Sequence, residues 1–87
     1  MERKKIIIEN VKHLNRISHQ YIVETIEQIL KSFIKSEYVE HTMISINTDN
    51  SNKYSVSTVK ISFVSDYANT DTIKNRIKEF LFPQNED

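Results

Sequence analysis

Two hydrophobic periodicities alternate along the chain. Tyr21, Ile22, Ile26, Ile29, Leu30, Phe33 and Ile34 recur at spacings of three and four, with Glu24, Glu27, Gln28, Lys31 and Lys35 in the gaps. This predicts an amphipathic helix with a broad apolar stripe. Ser18 is its expected N-cap, because a hydroxyl there can accept an orphan backbone N–H. The helix is expected to end near Ser36–Tyr38, with Asn10 as its earliest start. Across residues 42–48 the period becomes two, with Ile44 and Ile46 on one face and Met43, Ser45 and Asn47 on the other. Four turn formers follow, Asp49 to Asn52. Residues 54–65 read as a second strand, with Val59, Ile61 and Phe63 facing one way and Lys60 and Ser62 the other. Tyr54 and Val56 sit in the opposite phase to Val59, which a bulge or a two-sided sheet end near Ser57–Thr58 would explain.

Both ends of the chain add elements. Ile6, Ile7 and Ile8 are three β-branched residues in a row and favour a strand. Ile7, Val11, Leu14 and Ser18 also fall at helical spacing, so the first twenty residues read as strand, helix or both. Residues 66–72 are polar and loop-like. Thr70 or Asp71 is expected to cap a second helix carrying Ile73, Ile77, Phe80 and Leu81, which Pro83 stops. Residues 84–87 form an expected frayed tail.

The order (β)-α-β-β-α predicts an α+β domain: a small antiparallel sheet of two or three strands with two helices packed on one face. Two hairpin strands alone are marginal. Either the isoleucine run supplies a third strand, or the sheet pairs with another chain. The hairpin is rich in Ser and Thr and has few charges, Lys53 and Lys60 among them, which is weak protection for an exposed edge.

Length and charge narrow the function classes. The 87 residues suit one domain, 1–87. A chain of this size buries only about 60–65% of its unfolded surface, a margin that dimerisation commonly widens. Twelve basic and twelve acidic residues give zero net charge, which argues against a DNA-coating protein. The distribution is uneven: residues 1–35 hold seven basic against four acidic side chains, and the remainder five against eight. There is no cysteine, hence no disulfide or thiolate chemistry. There is no glycine, hence no phosphate-binding loop and no Gly-x-x-Gly RNA clamp. Any positive φ must fall on Asn or Asp. The apolar run after Met1-Glu-Arg-Lys-Lys is too short for a signal peptide, and no segment reaches the ~18 apolar residues of a membrane span. A cytoplasmic protein without membrane contact is expected.

Candidate chemistry is sparse. His13 and His19 are six apart, on opposite sides of a helix, and His41 is remote, so no metal pair forms. No serine sits in a glycine-flanked elbow. Glu37 and Glu40, and Asp66 and Asp71, fall where capping and solubility already explain acids. No cofactor, metal site or catalytic residue is expected. Arg3, Lys4, Lys5, Lys12 and Arg16 form a basic N-terminal cluster that could contact phosphates.

The run Glu2 to Ile8, the helix Tyr21 to Leu30, and the strands Met43-Ile-Ser-Ile and Val59-Lys-Ile-Ser-Phe resemble the strand-helix-hairpin order of MinE-type division-site factors, over roughly residues 2–64. That resemblance implies a dimer pairing through its sheets. It departs in the missing N-terminal membrane-targeting helix, the extra helix at 70–82 and an Asn-rich turn in place of a Gly. Helix 20–36, the hairpin ending Phe63-Val-Ser-Asp66 and helix 70–82 are similar in order to ribosome-binding factor A, a small KH-like family. That family has a further helix and strand, and its Asp-Pro-Arg-type junction is Glu37-Tyr38-Val39-Glu40 here.

The expected function is a non-enzymatic protein-interaction or regulatory module, a homodimer or a partner-docking domain. It would work through Ile6, Ile7, Ile8, Tyr54 and Val56. The alternative is an RNA- or ribosome-associated module using Arg3, Lys4, Lys5, Lys12 and Arg16.

Overall fold

The isoleucine run belongs to a strand, and a long one: Glu2–Lys12 forms β1. In the computed structural model, which describes residues 2–51, 55–66 and 69–82, Ile6 and Ile8 lie on one face of β1 and Ile7 on the other. That is the pleat of a strand. The helical spacing through Val11 has a different origin. Ile8 pairs with Val59 and Val11 with Ser57, so Glu9 and Asn10 together oppose the single residue Thr58. This bulge adds one residue and resets the alternation. Without it Asn10 would stand opposite Ser57 and face the core; with it, Val11 does, fully buried.

The bulge needs a left-handed backbone, and Asn10 takes it at φ 63°. Asn tolerates this region better than most residues. The second positive φ is at His13, 61°, where the chain leaves β1 for a single 3₁₀ turn, Leu14–Arg16. Asn or Asp was expected at every such position. With no glycine in the chain, His13 serves in a turn whose neighbour Leu14 is anchored in the core.

β2, Met43–Asp49, and β3, Val56–Ser65, form the expected hairpin. The sheet order is β1-β3-β2, antiparallel throughout, with β3 in the centre. The expected slip near Ser57–Thr58 is absent from β3 itself. Its inner face runs unbroken through Ser57, Val59, Ile61, Phe63 and Ser65, all buried. The irregularity belongs to the opposing strand. Ser57 tolerates burial because its hydroxyl shares a 2.9 Å hydrogen bond with Thr48 Oγ1. At the β2 end, the hydroxyl and the backbone N–H of Ser51 both donate to Asp49, holding its carboxyl below the usual carboxylate range.

The helices cover only the inner face. Ser18 Oγ accepts from Tyr21 N at 3.1 Å and caps α1, His19–Lys31, as expected. The helix ends at Lys31, well short of the expected Ser36–Tyr38. Ser32 N and Phe33 N bond back to Ile29 and Leu30 carbonyls in tightened i→i−3 geometry, and Lys35 is extended. A separate short helix, α2 (Ser36–Val39), follows. The break lets Ile34 and Val39 both turn inward and reach the core. The last helix, α3 (Thr70–Leu81), is capped one residue earlier than expected, by Asn69 Oδ1 accepting from Thr72 N at 3.3 Å. Ile73, Ile77 and Leu81 are buried beneath it, and Phe80 meets Tyr21 of α1 edge-on at 6.0 Å. Pro83 and the expected tail at 84–87 lie outside the described residues. One continuous apolar core results, with Phe63, Ile26, Leu30, Ile73 and Ile77 at its centre.

Two local features carry measurable free energy. Thr42 Oγ1 is buried without a hydrogen-bond partner among the described residues. Thr42→Val removes an unsatisfied hydroxyl at nearly constant shape and is expected to stabilise the fold by about 1 kcal/mol, read by urea unfolding. Asn10→Val places a β-branched residue in a left-handed conformation. It is expected to cost about 1–2 kcal/mol in the same measurement, whereas Asn10→Gly stays near neutral.

Candidate functional site

Because α1, α2 and α3 all pack on the inner face of the sheet, the outer face is left bare. Directly paired residues share a face, so the register reads this surface off row by row. Arg3 stands opposite Val64. Next comes Lys5–Ser62–Met43, then Ile7–Lys60–Ser45. Level with the bulge lies Thr58–Asn47, and below it Lys12–Val56–Asp49. Ile7 and Met43 are large apolar side chains open to solvent, at 44% and 63% exposure. With Lys5, Lys60, Ser45 and Ser62 they line a shallow concavity of about 390 Å³. The Arg3 guanidinium donates to Ser62 Oγ at 2.9 Å, which holds one cation beside it.

The two outer strands differ as edges. β1 carries Glu2, Arg3, Lys4, Lys5, Glu9 and Lys12 and is broken by the bulge. β2 carries one charge, Asp49, at its far end, and its register with β3 runs without interruption from Met43 to Asp49. Charge and bulges are the usual guards against strand addition, and β2 has neither along its first six residues. Ile44 and Ile46 are only partly buried on its helix side.

A second depression lies between the 3₁₀ turn and the end of α3, about 630 Å³ in volume, where Lys12, Arg16 and Ile17 face Phe80 and Phe82. Ile17, Tyr21 and Phe82 are exposed near it.

The residues singled out by the sequence are distributed unequally over these surfaces. Ile6 and Ile8 are core residues, 3% and 2% exposed, and are taken up within the single chain. Ile7 alone of the run faces outward. Val56 is half-buried on the outer face, and Tyr54 lies outside the described residues. Of the basic cluster, Arg3, Lys5 and Lys12 share the outer face. Lys4 stands on the inner-face rim, opposite Phe63, with its ammonium 3.5 Å from Glu2. Arg16 is in the 3₁₀ turn. The fold therefore divides those five cations and brings in a sixth, Lys60, that the N-terminal reading missed. Its alternation with Val59 and Ile61 marked it as outward-facing; only the register places it beside Lys5.

Among the described residues, no three His, Asp or Glu side chains gather into a cation site. His13 lies after β1, His19 at the start of α1, and His41 between α2 and β2. Among the described residues, no helix is long and apolar enough to cross a membrane.

Compared with family models, with curated proteins and with solved structures, the chain matches none.

The division of the isoleucine run is directly testable. Ile8→Ala is expected to lose about 2–5 kcal/mol of unfolding free energy, whereas Ile7→Ser changes it by less than about 1 kcal/mol. Equal losses at the two positions would contradict the register.

Proposed function

We propose that this protein is a non-enzymatic interaction module that pairs with a second copy of itself through the β2 edge, joining two three-stranded sheets into one. The observation that carries this is the contrast between the edges: β1 is charged and bulged, while β2 is straight and uncharged from Met43 to Thr48. An antiparallel pairing about a two-fold axis would bring Ile44 and Ile46 of each copy beside those of the other, covering apolar surface that the helices leave partly open. Backbone hydrogen bonds along β2 would find partners they lack in the single chain. The small core of an 87-residue chain makes such an added interface energetically useful.

The alternative, an RNA-associated module working through Arg3, Lys4, Lys5, Lys12 and Arg16, draws less support. A phosphate track needs these cations on one surface, and they lie on three.

Light scattering on a sizing column, at tens of micromolar protein and moderate salt, is expected to give about twice the chain mass of 10.3 kDa. The double variant Ser45→Lys/Asn47→Lys places like charges opposite one another across the two-fold axis. It is expected to run at the single-chain mass with an unchanged circular dichroism spectrum, since both side chains are exposed. A wild-type protein that is monomeric across the whole concentration range would refute edge pairing.

A further inference from the structure

The outer face of the sheet is chemically polarised along the strands. Its first three rows contain Arg3, Lys5 and Lys60, one cation each, together with Val64, Met43 and Ile7, and no acid. Its acids, Glu9 and Asp49, lie beyond, in the bulge and at the end of β2. Among the described residues none of the three cations is in an ion pair, unlike Lys4, which pairs with Glu2. All three cations are solvent-exposed. Three like charges on neighbouring strand positions repel one another, and the patch is complementary to a negatively charged occupant.

We infer that this end of the open face docks an extended acidic segment of a partner protein that presents carboxylates and aliphatic side chains on one and the same face. Three features select that chemistry. Arg3 and Lys5 are two residues apart on one strand, about 6.7 Å, and so are alternate residues of an extended peptide. Carboxylates at positions i and i+2 of such a peptide share a face and therefore meet cations in consecutive rows, and an aliphatic side chain at i+4 on that face meets the row of Ile7. The floor between the cations is aliphatic: Ile7 and Met43 line the 390 Å³ concavity with Ser45 and Ser62. A partner bringing aliphatic groups buries both, which a bare inorganic anion would not. Single-stranded nucleic acid fits less well, because base recognition on a sheet uses aromatic platforms, and the outer face carries none among the described residues. A longer phosphate track would also run onto Glu9 and Asp49. This site shares Met43 and Ser45 with β2 but uses their outward side chains, not the backbone edge, and does not depend on pairing there.

The test uses fluorescence anisotropy with the full chain and three labelled probes at low salt. One, the Glu–Ile peptide, is a ten-residue peptide with two Glu followed by two Ile at alternate positions and Ser between them, one, the Glu–Ser peptide, has Ser in place of both Ile, and one is a ten-nucleotide oligouridine. The Glu–Ile peptide is expected to bind saturably and about tenfold more tightly than the Glu–Ser peptide, which has the same charge. Arg3→Glu and Lys60→Glu are each expected to weaken it about tenfold, while Lys74→Glu on α3 does not. Ile7→Ser is expected to lower affinity for the Glu–Ile peptide alone. Light scattering on the same variants is expected to give the wild-type mass, which separates loss of this site from loss of edge pairing. No saturable binding, equal affinity for the two peptides, or oligouridine binding that is tighter and depends on Lys60 would each overturn the inference.

Discussion

The pairing of β1 with β3 determines what the rest of the molecule can be. Alone, β2 and β3 are a hairpin with one apolar face, too small to hold its own shape in water. Adding β1 makes β3 a central strand, flanked on both sides, and extends the apolar floor by Ile6, Ile8 and Val11. The floor is then wide enough to carry α1 and α3 side by side. The bulge at Glu9–Asn10 keeps that floor apolar to its end, because it puts Val11 in place of Asn10 at the inward position opposite Ser57. A left-handed asparagine in a chain without glycine is the local strain against which a continuous core is gained.

What the sequence made legible follows from how local each signal is. The hairpin was readable because its alternation is carried by adjacent residues: Ile44 and Ile46, Val59, Ile61 and Phe63. The Ser18 cap and the stripe of α1 were readable for the same reason. The strand at the N-terminus was ambiguous because the bulge imitates helical spacing between Ile7 and Val11. Its full extent to Lys12 depends on β3, which lies far away in the chain. The end of α1 was misjudged because Phe33 and Ile34 continue the stripe. Tertiary burial of Ile34 and Val39 outweighs the gain of another helical turn. At the second helix, Asn69 competes with Thr70 for the cap, and periodicity cannot decide between neighbours.

The surfaces were less legible than the core. The basic residues near the N-terminus look like one cluster when counted along the chain. A strand, however, sends neighbouring side chains to opposite sides, so Lys4 and Lys5 end on different faces. Conversely, Lys5 and Lys60 are remote in sequence and become neighbours only through the register. Edge character is also a property of order within the sheet. Nothing in residues 42–48 states that they will lie outermost, and the hairpin would look equally guarded with β2 in the middle.

The same register has a consequence for how the protein is made. β1 leaves the ribosome before its partner β3, and the whole of α1, α2 and β2 separates the two. Closing so large a loop is entropically slow compared with winding a helix or forming a hairpin. During synthesis the segment Ile6-Ile7-Ile8 must therefore wait, β-prone and unpaired, in a chain with no proline to interrupt it before residue 83. Arg3, Lys4 and Lys5 immediately precede it. Charges flanking a β-prone run have the pattern of gatekeepers, which oppose the addition of one unpaired strand to another.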